Sequence, residues 1–292
     1  MLLGGWNQDD TTKAKSIQVG NSERYYLDYI PSALDNSTPV PLVIDMHGFG
    51  GTAEAQRENS GFRTIADEEG FIVVYPIGSN FPESIEGQDT QKAQSYNAGP
   101  ACCGLSVTNN IDDVGFIIEL IEKIKSEHNI DITRIYATGM SNGGALAQRL
   151  AVEVPDTLAA VVSYAQYLLT EGPHTLQSPI PVMEIHGQYD NFCPYEPCDY
   201  CGNPNKVGFP GAEENRDYWA KLNGCNMALM KTKRICGGNW FKDRVYTYEN
   251  CDGNVKVILV SLNCGHLNLY NYRKKRVDVT QMGWDFMNQF SR

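Results

Sequence analysis

The run Gly139-Met140-Ser141-Asn142-Gly143 constrains this chain more than any other, because its two flanks follow different periodicities. Before it, Arg134-Ile-Tyr-Ala-Thr138 is short and β-prone, with alternating apolar positions. After it, Gly144-Ala-Leu-Ala-Gln-Arg-Leu-Ala151 is rich in Ala and Leu at helical spacing. The pattern predicts a strand that turns abruptly into a helix, with Ser141 on the turn. Glycine two residues to either side removes the Cβ atoms that would hold helix and strand apart.

The rest of the chain alternates in the same style. Glu23–Ile30 reads as a half-exposed strand at an antiparallel start. Pro41–His47 and Phe71–Tyr75 are denser apolar runs, as expected of strands covered on both faces. Between them Thr52–Glu69 reads as one helix stopped at Gly70. Residues 76–110 show little periodicity and are expected to form a long loop. Asp112 or Asp113 caps a helix running to about His128. Later strands are expected at Leu158–Tyr164, Pro181–His186, Arg244–Tyr248 and Val255–Val260, with helices at Ala212–Leu222 and Asp278–Phe290. The fold class is therefore α/β, a mostly parallel sheet flanked by helices, in one domain with a Cys/Pro/Gly-rich insertion around 190–212.

Composition excludes several functions. At 292 residues, 42% hydrophobic and 20% charged, the chain can bury one large core. No apolar run approaches the ~18 residues of a membrane span, so a soluble protein is expected. A formal net charge of -11 argues against nucleic acid, whose phosphates are held by Lys and Arg. The basic run Arg273–Arg276 reads as a solvated turn. Nine cysteines in loop-like sequence indicate secretion and disulfides, with an odd thiol left over. Cys193, Cys198 and Cys201 contain a C-x-x-C pair, but zinc would want further ligands that are not evident. Met1-Leu-Leu-Gly-Gly is too short for a signal peptide, so either a leader has been removed or the start is an artificial remnant. The sequon Asn36-Ser37-Thr38 also suits a secretory route.

A serine hydroxyl becomes nucleophilic when a base takes its proton, and the base needs a carboxylate to fix its tautomer. His47 and His186 each precede a glycine at a strand end, His128 ends a helix, and His174 lies in a Pro/Gly loop. His266, in Asn263-Cys-Gly-His266, follows a late strand, where a loop would deliver it to the top of the sheet. Asp190, three residues beyond Gly187, completes the chain order Ser141, Asp190, His266. Asp45, polar inside an apolar strand, is expected to be structural and is the fallback acid; Glu196 and Asp199 are expected to be solvated. Oxyanion donors are expected from the N–H of Asn142 and of Phe49 in His47-Gly-Phe-Gly-Gly51.

Several motifs together resemble a known group: Asn97-Ala-Gly-Pro-Ala-Cys-Cys-Gly104, Asp112-Asp-Val-Gly-Phe116, Tyr136–Gly144, His186-Gly-x-x-Asp190 with Pro194-Tyr195, and Cys264-Gly-His266. In this order they are similar to the secreted feruloyl esterase and polyhydroxybutyrate depolymerase family of α/β-hydrolases, from about Arg24 to the last helix. The resemblance implies the α/β-hydrolase fold, a triad of Ser141, Asp190 and His266, and no metal or organic cofactor. It also implies that Cys102 or Cys103 is bridged, to Cys193 or Cys264, and that Cys225 pairs with Cys251. The chain departs from the family after the histidine, where Leu267-Asn-Leu-Tyr270 stands in place of a Thr or Ser, Trp, Pro pattern.

The expected reaction is hydrolysis of hydroxycinnamoyl esters of plant cell-wall arabinoxylan by a secreted monomer. Polyester depolymerisation and acetylxylan deacetylation are alternatives with the same triad, and a non-catalytic binding protein is a remote one. An aromatic acid wants an aromatic-lined slot. Tyr96, Phe192, Tyr195 and Trp240 are the expected substrate contacts, with Tyr189 and Phe241 nearby; 190–212 and 237–241 are candidate lids.

Overall fold

The computed structural model describes residues 13–79, 93–199, 208–235, 242–271 and 277–292. β1 (Lys15–Val19) and β2 (Ser22–Tyr29) form an antiparallel hairpin. They are followed by β3 (Val40–Met46), α1 (Ala53–Asn59), α2 (Phe62–Glu69) and β4 (Ile72–Pro76). A short α3 (Leu105–Thr108) precedes α4 (Asp113–Glu127), β5 (Ile130–Met140), α5 (Asn142–Glu153), β6 (Ala160–Tyr164) and β7 (Val182–Gly187). The chain continues through α6 (Ala212–Leu222), β8 (Lys231–Arg234), β9 (Arg244–Tyr248), β10 (Val257–Leu262) and α7 (Val279–Met287).

All ten strands join one sheet in the order β1-β2-β4-β3-β5-β6-β7-β10-β9-β8. The inner pairs β4/β3, β3/β5, β5/β6, β6/β7 and β7/β10 are parallel, and the outer pairs are antiparallel. This is the mostly parallel α/β sheet the alternation predicts. Period-2 geometry splits the core in two: along β3, Leu42, Ile44 and Met46 enter one cluster and Val43 the other. The first cluster is covered by α4, α5 and α6, the second by α1, α2 and α7.

Two local departures have simple causes. The expected helix over 52–69 is two helices, because Gly61 takes a left-handed φ of 86° and breaks the ladder after Ser60. The irregular stretch after 222 contains the edge strand β8; all four of its residues are exposed, so it carries no apolar alternation to announce it.

The elbow depends on close packing. A Cβ on Gly139 would lie 2.6 Å from the Gly143 carbonyl carbon and 2.6 Å from the Met46 oxygen; one on Gly143 would also meet Met46. β5, β3 and α5 can therefore approach only with glycine at both places. The long loop before α4 is anchored from below. Asp113 is buried, pairs with Arg24 at 2.6 Å and accepts the Asn97 N–H at 2.6 Å, while Arg149 donates to the Asn97 carbonyl at 2.7 Å. Arg24 also stacks on Phe116, its guanidinium carbon 4.1 Å from the ring centre.

Removing one member of a buried pair strands the other charge. Asp113→Ala is expected to cost about 3–5 kcal/mol in denaturant unfolding, whereas truncating the exposed pair Arg63–Glu58 should cost less than about 1 kcal/mol.

Candidate active site

Ser141 occupies the turn between β5 and α5 with φ 53° and ψ -118°, a conformation costly for a residue with a Cβ. Its N–H donates to the Tyr164 carbonyl at 2.7 Å, and its carbonyl accepts the first α5 bond from Ala145 at 2.9 Å. The residue is half-buried and faces a cleft of about 490 Å³ that His266, Phe49 and Phe192 also line. That volume suits a small organic ligand.

Asp190 and His266 come from loops after adjacent parallel strands, β7 and β10. The Gln188 N–H donates to the Leu262 carbonyl at 2.7 Å and the Tyr189 N–H to the Cys264 carbonyl at 2.9 Å, so the two loops are fastened side by side. Asp190 Oδ1 accepts the N–H groups of Phe192 (2.9 Å) and Cys193 (2.7 Å). Its Oδ2 stands 2.6 Å from His266 Nδ1, and both side chains are buried. With Nδ1–H donating to the Asp190 carboxylate, Nε2 is left as the basic nitrogen.

The other histidines are engaged elsewhere. His47 Nε2 accepts the Gly78 N–H at 3.0 Å and Nδ1 meets the Gly48 carbonyl at 2.8 Å; burial pulls its pKa down to about 4, so it stays neutral. His174 bonds Tyr218 and Thr170. His128 closes α4. His186 is buried against Glu184 at 2.6 Å. Asp45 is fully buried and bonded to Gln56 at 2.6 Å, in the structural role expected of it; burial raises its pKa to about 7.

Of the two oxyanion candidates, Phe49 lines the cleft and Asn142 is buried next to Ser141, which also lines it. Asn142 opens α5, where the first N–H groups have no intrahelical partner. In the other loop, the Gly50 N–H goes to the Gln94 carbonyl at 2.9 Å and the Gly51 N–H to the Gly48 carbonyl at 3.0 Å. Two of the loop's amides are thus committed, and Phe49 lines the cleft.

Several expected contacts lie elsewhere. Phe192 is at the cleft, 65% exposed, its ring 5.3 Å from that of His266. Tyr96 is fully buried beneath it: its hydroxyl donates to the Pro76 carbonyl at 2.8 Å, and its backbone N–H and carbonyl clamp the Asn142 side chain at 2.7 and 3.0 Å. It holds the Asn142 side chain at the start of α5 and is not part of the cleft lining. Tyr195 is buried with its ring edge-on to His186 at 5.9 Å and its hydroxyl 3.2 Å from Glu213, so it braces the insertion. Trp240, Phe241, Cys201, Cys236 and the basic run at 273–276 lie outside the described residues.

The cysteines require a further correction. Cys102 and Cys103 bridge each other at the cleft wall, while Cys193 and Cys264 are free and buried. The free Cys193 thiol instead accepts from the Gln166 amide at 2.9 Å and is hydrogen-bonded with Ser141. Cys225–Cys251 is bridged as the family resemblance implies. Cys193 and Gln166 are site residues the motifs do not mark, since each reaches the cleft through a loop whose path depends on the fold. Glu184 carries the same signal as Asp45, a carboxylate inside an apolar strand. One ligand atom each of Asp190, Cys193 and His266 lie within 4.8 Å of one another. Both Asp190 oxygens are already occupied by N–H donors, so a metal there would compete with the Asp190–His266 pair.

A parallel sheet with a serine on its strand-to-helix turn, and an acid and a histidine on the following strand ends, defines an α/β-hydrolase. Residues 24–194 match the family described as esterase PHB depolymerase, and the chain belongs to that family. It is 31% identical over 267 residues to a protein named feruloyl esterase B from Piromyces equi, covering 89% of this chain and 44% of that one. It is 27% identical over 272 residues to a bifunctional acetylxylan esterase/xylanase from Neocallimastix patriciarum, covering 90% of this chain and 33% of the relative. The chain thus spans less than half the length of either. Among solved structures, an acetyl xylan esterase from Aspergillus awamori shares the fold, with a TM-score of 0.63 at 13% identity over 94% of this chain and 99% of that one. No helix among the described residues is long and apolar enough to cross a membrane.

Two measurements check this electrostatic description. Burial and the nearby carboxylates raise both thiols, Cys193 well above its usual value and Cys264 to about 12. Native alkylation followed by peptide mass mapping should therefore leave Cys193 and Cys264 unmodified until the protein is denatured. Asp45 carries a folded pKa raised above its unfolded one, so its ionisation opposes folding as pH rises from about 4 to 7. Asp45→Asn should remove a decline of up to about 1.4 kcal/mol per pH unit across that window, measured as unfolding free energy at several pH values.

Proposed function

We propose that this chain is a serine esterase that hydrolyses hydroxycinnamoyl esters through an acyl-enzyme, with Ser141 as nucleophile, His266 as base and Asp190 as its orienting carboxylate. The observation that carries the reading is the 2.6 Å Asp190–His266 bond beside a serine on the elbow of the same cleft. His266 Nε2 takes the Ser141 proton as Oγ attacks the ester carbonyl. The N–H groups of Asn142 and Phe49 receive the developing oxyanion. His266 then protonates the departing alcohol, and water discharges the acyl group by the same base. This chemistry uses no metal or organic cofactor.

The cleft favours an aromatic acid. Phe49, Phe192 and Leu267 stand 44%, 65% and 77% exposed at its mouth, and Met140, Phe209 and the Cys102–Cys103 bridge add soft apolar wall. A flat ring gains offset or edge-on contact with such side chains. Leu267 stands where the sequence departs from the family's Thr or Ser, Trp, Pro pattern after the histidine. The relative named feruloyl esterase B supports the acyl choice, and the cell-wall xylan ester is the substrate we assign. Disulfide bridges at Cys102–Cys103 and Cys225–Cys251 support an extracellular setting.

Ser141→Ala should abolish turnover of a generic aryl acetate, and Asp190→Asn should lower kcat by roughly 10⁴-fold with little loss of folding. Rates on methyl ferulate, an acetylated xylan and a polyhydroxybutyrate film should rank ferulate first. Preference for acetyl xylan or for the film would overturn the acyl assignment while leaving the triad standing.

A further inference from the structure

Directly behind Asp190 lies a second carboxylate and imidazole that the reaction above does not use. Glu184 and His186 sit two residues apart on β7, so their side chains leave the same face of the strand, and they are 1% and 0% exposed. His186 Nδ1 is 2.6 Å from Glu184 Oε1, and its Nε2 is 2.8 Å from the Cys193 carbonyl. Both ring nitrogens therefore face oxygen acceptors, an arrangement satisfied when both carry protons. The second oxygen of Glu184 accepts the Asn215 amide at 2.6 Å, which favours its charged form. Burial alone would lower the imidazole's pKa, but the hydrogen bond and charge of Glu184 outweigh it and raise it; burial also raises Glu184, against the opposing pull of His186, Asn215 and Arg216.

The Nε2 edge of His186 also lies 3.6 Å from Asp190 Oδ2, the oxygen that holds His266. We propose that Glu184 and His186 form a buried carboxylate–imidazolium pair whose positive edge keeps Asp190 turned toward His266, making both of them positioning residues for ester hydrolysis. Other groups facing the pair fit this assignment. Tyr167 stacks on the His186 ring at 5.6 Å and Tyr195 meets it edge-on at 5.9 Å; the Cys193 thiol and Asp190 adjoin it, and Arg216 on α6 adds positive charge toward Glu184. The amide network behind Glu184 is closed by Asn215 and Trp219, which both donate to Gln148 Oε1 at 3.1 and 2.6 Å. The pair thus sits between a fixed scaffold and the acid of the triad.

This inference rests on the triad reading, and the test separates the two. Glu184→Gln and His186→Gln keep size and remove the positive edge beside Asp190. Each should lower kcat roughly 10–100-fold with KM nearly unchanged, comparable to losing the partner behind a metal-bound histidine. The acid limb of kcat/KM should move to higher pH in both, because His266 then feels the Asp190 charge with less compensation. In the wild-type protein, ¹⁵N imidazole resonances should show both His186 nitrogens protonated at a pH where His266 carries one proton; this measurement stands even if a variant fails to fold. A single-proton His186, or variants that fold with wild-type kcat and an unmoved acid limb, would overturn the proposal. If Ser141→Ala stays active, the triad reading itself fails. If Ser141→Ala is dead while the pair variants match wild type, the pair alone is refuted.

Discussion

The backbone of Ser141, held at φ 53° between β5 and α5, is the constraint on which the site depends. A residue with a Cβ adopts that geometry only when its surroundings over-determine it. Here they do so through the Tyr164 carbonyl on its N–H, the first α5 bond on its carbonyl, and the absence of side chains at Gly139 and Gly143. Relaxing any of these would let the turn widen and carry the serine away from the cleft. The same close approach puts the N-terminus of α5 beside the loop after β3, so Ser141, Asn142 and that loop are set by one packing event.

The second organising element is a buried polar layer under the cleft. It runs from Trp219 and Gln148 through Asn215 and Glu184 to His186, then to Asp190 and His266. Buried polar groups are costly when unpaired, and a layer in which each member has a partner is rigid for that reason. Rigidity matters at His266, whose Nδ1 bond to Asp190 decides which nitrogen is free to act. The loop-to-loop bonds of Gln188 and Tyr189 align the same pair through the backbone. Above this layer the cleft is lined largely by apolar side chains, which separates two tasks: the polar constellation is fixed by the sheet, and the mouth is shaped by side chains of loops.

Much of this was legible in the chain because it is local. Strand and helix periodicities, the Asp112 cap and the glycine spacing around Ser141 each report on a few neighbouring residues. Motif order brought Asp190 and His266 forward, since loops after consecutive parallel strands reach one edge of a sheet. Tyr96 and Tyr195 were misplaced because an aromatic residue in a site loop turns inward as readily as outward, and sequence does not distinguish the two. The bridging of Cys102 to Cys103 was missed for a similar reason, because cysteine count and loop composition do not encode which sulfur faces which.

The sequence by itself determined the alternation of strand and helix, the elbow and the identities of its chemical groups, since these follow from residue type at short range. Only the tertiary structure decided their relations: Asp190 against His266, Glu184 against His186 beneath them, Gln166 and Cys193 brought to Ser141, and Phe49, Phe192 and Leu267 set around one mouth. Apart from that of the near neighbours Glu184 and His186, those relations join residues tens of positions apart, and they arise when the parallel strands align their ends and the two cores on either side of the sheet close.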